Sequence, residues 1–108
     1  MEGFWTFLVS ETQSGGVLMA RDGKLYGGDE CYYFQGTYTA EEDQVTMSLD
    51  INLYNPEGLF VRPWGDSAEQ FALAFAGSRT GDSIKGTIRR PGMEPAMTIT
   101  LTRRLEIA

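Results

Sequence analysis

Between residues 44 and 54, Val45, Met47, Leu49, Ile51 and Leu53 alternate without interruption with Thr46, Ser48, Asp50, Asn52 and Tyr54. A period of two over that length gives a strand with one apolar and one polar face. The same alternation recurs along the chain, and no helical stripe of useful length competes with it. It predicts seven further strands, over residues 3–10, 16–21, 24–27, 32–39, 71–77, 83–89 and 97–107. Turn signals separate them: Gln13-Ser14-Gly15, Asp22-Gly23, Glu41-Glu42-Asp43, Thr80-Gly81-Asp82, and the run from Pro91 to Pro95. Asp22-Gly23 suits a two-residue hairpin, because both central residues of a type I′ turn need positive φ. Mostly short connections favour an up-and-down antiparallel meander, and eight strands can close on themselves and so remove exposed edges. The expected fold is therefore all-β, an eight-stranded antiparallel up-and-down barrel in one domain over residues 1–108. Its interior is either filled by side chains or wide enough for one small ligand.

The long connection, residues 55–70, breaks the pattern. It holds Leu59, Phe60, Val61 and Trp64 among Pro56, Pro63, Gly58 and Gly65, and a loop this apolar must bury itself. Two readings stand: a lid over one barrel end, or a partner or ligand contact. Asp66-Ser67-Ala68-Glu69 has capping-box spacing with Asp in place of Ser or Thr, which allows a single helical turn.

Composition narrows the function classes. The chain has 42% hydrophobic, 12% aromatic and 22% charged residues, as an ordinary globular domain does. Its net charge of −6 argues against direct nucleic-acid binding, which needs clustered Lys and Arg. The charge is uneven: residues 1–61 carry ten acids and two bases, and residues 62–108 carry five acids and seven bases. One half can attract a basic partner, or these charges simply keep the outer wall hydrated. A lone Cys31 and the absence of His leave no disulfide framework and no set of soft metal ligands. No metal or other cofactor is expected. The N-terminal apolar run stops at Val9 with no basic segment before it, too short for a signal peptide core or a membrane span, so a cytoplasmic location is expected.

No candidate nucleophile has a histidine base, and paired acids such as Glu41 and Glu42 fall on a turn where nothing raises a pKa. The expectation is a binding protein rather than an enzyme. Gly27-Gly28-Asp29-Glu30 matches the start of the diguanylate cyclase signature, but Cys31 replaces its Phe and the rest of that larger α/β domain is missing. The two glycines are read instead as a turn or bulge with positive φ.

Gly3-Phe4-Trp5 on the first strand, with Arg103 at an inward-phased position after Leu101, resembles the lipocalin and avidin barrels, in which a basic residue of the last strand packs across such a Trp. A guanidinium over an indole gains about 0.5–2 kcal/mol. The alternative role for Arg103 is to hold a ligand carboxylate inside the barrel.

A second resemblance covers mainly the first half of the chain. Gly15-Gly16-Val17-Leu18, then the stretch from Gly23 to Asp29, then Phe34-Gln35-Gly36 and the acidic turn before Val45, are similar to the GrlR family of small negative regulators of bacterial type III secretion. The resemblance implies a lipocalin-like barrel that forms a homodimer and represses by binding a DNA-binding transcriptional activator directly. It also implies a regulatory run of four acids on a surface loop; here the matching positions are Ala40, Glu41, Glu42 and Asp43, with the first acid missing. An exposed acidic turn suits a basic partner through steering and charge pairing. The expected partner-binding residues are thus Glu41, Glu42 and Asp43. The alternative is a carrier of a small apolar ligand lined by Trp5, Phe34, Phe71, Phe75 and Arg103.

Overall fold

A computed structural model describes residues 1–58, 62–65 and 68–106. It contains eight strands: β1 (Gly3–Val9), β2 (Ser14–Arg21), β3 (Lys24–Gly28), β4 (Tyr32–Glu41), β5 (Gln44–Leu53), β6 (Gln70–Thr80), β7 (Ser83–Arg89) and β8 (Met97–Leu105). Each pairs antiparallel with the next, and β8 returns to pair with β1, closing an all-β up-and-down barrel. No helix occurs among the described residues. Leu59, Phe60 and Val61 of the apolar loop, Asp66 and Ser67 of the capping-box segment, and Ile107 lie outside them.

The alternation seen in the sequence is realised as two faces. Val45, Met47 and Ile51 point into the barrel and are buried, while Thr46, Ser48 and Asp50 between them are exposed. Cross-strand register then places Trp5, Leu18, Gly27, Phe34, Ile51 and Phe71 in one continuous inner row over six strands. Large rings stand beside glycines in this lining: Phe34 beside Gly27, and Phe7 beside Gly16, where an added Cβ would lie 2.7 Å from the Phe7 ring. A barrel this narrow can fill its interior only by alternating large and small inward residues. Phe7 and Phe34 meet as a tilted pair with centroids 5.9 Å apart.

Three local readings need correction. The first turn lies at residues 10–13, not 13–15, because Gln13 takes the positive φ of 57° and Ser14 and Gly15 already pair with β1. Gly27 and Gly28 form neither turn nor bulge: they continue β3 without positive φ, and what they allow is close approach, since a Cβ on Gly27 would stand 2.8 Å from the Leu18 Cα. Strand β6 runs on past Gly77 to Thr80, which carries Arg79 to the end of the barrel. By contrast, Asp22 and Gly23 have φ of 52° and 78°, both positive as a type I′ hairpin requires.

A meander sends successive connections to opposite ends. The β2–β3, β4–β5 and β6–β7 turns therefore share one end with Trp5, and the 29–31, 54–69 and 90–96 connections share the other.

Candidate functional site

The end that holds Trp5 is closed. Trp5 is fully buried, and its indole Nε1 donates to the Met1 carbonyl oxygen at 3.0 Å. The cation over its ring is Arg79, 5.4 Å from the centroid, and not Arg103. Arg103 is the β8 neighbour of Trp5 in register, but its guanidinium turns outward to Asp82, with Nη2 at 2.7 Å and Nε at 2.9 Å from Oδ1, and Nη2 also lies 3.4 Å from Glu106. The physical reason is geometric. Side chains on adjacent strands stand side by side, so a cation reaches the face of the indole better from β6, further round the wall, than from β8. A carboxylate at the neighbouring turn then offers Arg103 a charge-assisted bond that a ring cannot match.

The acidic hairpin tip lies at this closed end. Glu41 ends β4, Glu42 and Asp43 form the turn, and all three side chains are exposed. Among the described residues, no Lys or Arg forms an ion pair with any of them. The tip is held in place by its backbone. Arg79 N donates to the Asp43 carbonyl at 2.7 Å, and the Thr39 and Thr46 hydroxyls bond across the hairpin at 2.6 Å. Glu42 has φ of 56°, in the left-handed region. Asp22 of the neighbouring β2–β3 turn and Glu2, whose carboxylate accepts from Asp22 N at 3.3 Å, add carboxylates at the same end.

The opposite end opens into an apolar cavity of about 80 Å³. Phe34, Phe71 and Phe75 line it, with Leu49 and Leu73 among the other lining residues. Trp5 and Arg103, grouped with these rings in the carrier reading, are not part of the lining and sit at the closed end. The structure thus separates the five residues into two sets.

At the mouth lies Trp64 of the apolar loop, together with residues that sequence reasoning missed: Asp29, Tyr32, Arg62 and Arg90. Tyr32 and Phe71 form an edge-to-face pair with centroids 5.6 Å apart. Arg62 lies 5.7 Å from the Tyr32 centroid and Arg90 4.0 Å from that of Phe71. Trp64 is tied across the mouth by its indole N–H, which donates to the Pro95 carbonyl at 2.8 Å. Arg62, Pro63 and Trp64 of the apolar loop thus line the cavity. One Asp29 carboxylate oxygen accepts from the backbone N–H of both Cys31 and Tyr32 at 2.8 Å. Burial pushes the Asp29 carboxyl above its ordinary pKa, with Glu30 adding to the push and the two N–H bonds opposing it. A signal for Arg90 exists in the sequence, since it continues the inward phase of Ile84, Gly86 and Ile88. Arg62, outside any strand, has no such phase.

Among the described residues no group of three His, Cys, Asp or Glu is placed to hold a metal ion, and no helix is long and apolar enough to cross a membrane. Comparison of the chain with protein-family models and with curated proteins returns no match.

Proposed function

We propose that the chain is a regulatory protein-binding module. In this reading it is a non-enzymatic negative regulator, acting in the cytoplasm as a homodimer, that sequesters a basic DNA-binding transcriptional activator through Glu41, Glu42 and Asp43. The resemblance to the GrlR family supplies the partner class and the link to type III secretion. The observation that carries the reading is the backbone of Glu42. A tip selected only for turn formation would place Gly or Asn at φ of 56°, whereas a Glu there costs roughly 1–2 kcal/mol of backbone strain. A charged residue kept in an unfavourable conformation, on a hairpin fixed from both sides, supports a role for the charge itself.

The test is binding of a basic activator by the parent chain and by Glu41→Ala/Glu42→Ala/Asp43→Ala. The variant is expected to bind at least about tenfold more weakly, and the parent complex to weaken as salt rises. Undiminished binding by a folded triple variant removes the tip from the site.

A second reading, carriage of a small apolar ligand, is favoured by the cavity. Its volume of about 80 Å³ gives room for roughly five to eight water-sized groups. That is well below the roughly 300–1,000 Å³ of drug-sized sites, so the cargo would be a short chain or a single ring.

A further inference from the structure

The outer wall over β4, β5 and β6 carries a constellation that neither the acidic tip nor the cavity uses. Register places Tyr33, Asn52 and Gln70 side by side in one outward row, and Gln35, Asp50 and Ala72 in the next. Gln35, Asp50, Asn52 and Gln70 line an open groove of about 390 Å³, within the roughly 300–1,000 Å³ of small-molecule sites. Much of its hydrogen-bonding capacity is unused. Gln70 Nε2 donates to Asn52 Oδ1 at 3.2 Å, which leaves the Asn52 amide N–H groups and the Gln70 side-chain carbonyl to a ligand. Among the described residues, neither Gln35 nor Asp50 has a side-chain hydrogen bond or ion pair. Asp50 stands beside the short side chain of Ala72 and is exposed. At the edge of the groove, next to Asn52, Tyr33 is 54% exposed and Tyr54 56%, with ring centroids 6.3 Å apart. Tyr54 is fixed there, since its hydroxyl donates to the Asp29 carbonyl.

We infer that this face binds a short neutral saccharide, with one sugar ring packed on Tyr33 and Tyr54 and the next held in the groove by Asp50, Gln35 and the two amides. A pyranose has a C–H face that packs on an aromatic ring and an edge of hydroxyls that both donate and accept. The amides meet those hydroxyls in both senses, and one carboxylate accepts from two of them by charge-assisted bonds. A purely apolar ligand would leave these groups unpaired, and an anion would meet Asp50. Every bond formed replaces one to water, so the affinity expected is in the millimolar range. The site is independent of both the acidic tip and the barrel cavity.

The experiment is an amide chemical-shift titration of the full chain with maltotriose, cellotriose and chitotriose, and with the anionic trigalacturonate, at one pH and ionic strength. At least one neutral trisaccharide is expected to give saturable shifts centred on residues 33–35, 50–52 and 70–72, and trigalacturonate to bind more weakly. Tyr33→Ala and Asp50→Ala should each weaken that binding by about three- to tenfold. No saturable shift with any of the three neutral sugars overturns the inference, as do shifts centred elsewhere or binding that survives both substitutions. Equal or tighter binding of trigalacturonate overturns the role given to Asp50. The mapping on the parent chain holds even if a variant does not fold.

Discussion

The guanidinium of Arg79 lies 5.4 Å from the centre of the Trp5 ring, while its Nε donates to the Gly81 carbonyl at 2.8 Å and its backbone N–H to Asp43 at 2.7 Å. One residue therefore joins the barrel floor, the β6–β7 turn and the acidic hairpin. Arg103, the cation expected at that ring, spends its charge on Asp82, which is 61% exposed.

These roles separate in stability. Arg79→Ala removes a cation over a buried ring and a side-chain hydrogen bond, and is expected to cost about 1–3 kcal/mol. Arg103→Ala removes a partly solvated ion pair and should cost no more than about 1 kcal/mol. Urea unfolding followed by circular dichroism checks the order; a larger loss for Arg103→Ala would reverse the assignment of the floor cation.

A Cβ at residue 27 has nowhere to go. Gly27 sits between Leu18 and Phe34 in the inner row, and the added carbon would stand 2.8 Å from the Leu18 Cα. Backbone cannot swing aside as a side-chain tip can, so Gly27→Ala is expected to destabilise by about 1–3 kcal/mol. An unchanged urea midpoint would mean that β2 and β3 are spaced more widely than described.

Much of this architecture was legible in the sequence because period-two burial leaves a direct mark, as in Val45 to Leu53, where polar and apolar positions never slip. The glycines were the weak point. Gly15, Gly27 and Gly28 look like turn residues, yet they serve strand packing, and only three-dimensional closeness distinguishes the two uses. The reach of β6 to Arg79 was hidden for the same reason, since Gly77 and Ser78 read as an end. The acidic tip was legible as a turn, but the positive φ of Glu42 was not. Phe34, Phe71 and Phe75 could be recognised as inward-facing, whereas the presence of Arg62 beside Arg90's end of the barrel depends on a loop that carries no strand phase.

Relieving the strain at the tip should stabilise the fold while harming its proposed task. Glu42→Gly exchanges a backbone penalty of roughly 1–2 kcal/mol for a glycine entropy cost of about 0.5–1 kcal/mol, leaving a net gain near 0.5–1 kcal/mol. A raised urea midpoint together with weaker binding of a basic activator is the expected pair of results. A lower midpoint would show that the Glu42 side chain supports the hairpin.

Asp29 gives stability a defined pH dependence. Its folded pKa is raised above the ordinary 3.8 by burial, so the native state holds the proton more tightly than the unfolded chain. This contribution is fully present below the unfolded pKa and is lost as pH rises through the folded value. Asn at this position keeps an oxygen for the N–H groups of Cys31 and Tyr32 without the buried charge. Asp29→Asn should therefore be more stable than the parent at neutral pH, and the gap should close in acid. Urea midpoints at the two pH values check this, and a gap that widens on acidification contradicts the sign.

The outer wall is divided, and the division suggests a test of the proposed dimer. Around β5, β6 and β7 the outward residues are small or polar: Thr46, Ser48, Ala72, Ala74, Lys85 and Thr87. On the other side, register aligns Leu105, Phe4, Met19 and Tyr26 in one outward row across β8, β1, β2 and β3, with Val17 and Leu8 nearby. Leu105 is 64% exposed and Tyr26 45%. Contiguous apolar surface of this kind usually marks an interaction site, and a second copy meeting it face to face buries the same row twice. Met19 stands in the middle of that row. Met19→Glu should therefore convert a dimer to a monomer in sedimentation equilibrium, with the monomer still folded by circular dichroism, since the position is solvent-facing within one barrel. A parent chain that sediments as a monomer at every concentration, or a variant that remains dimeric, removes this face from the proposal.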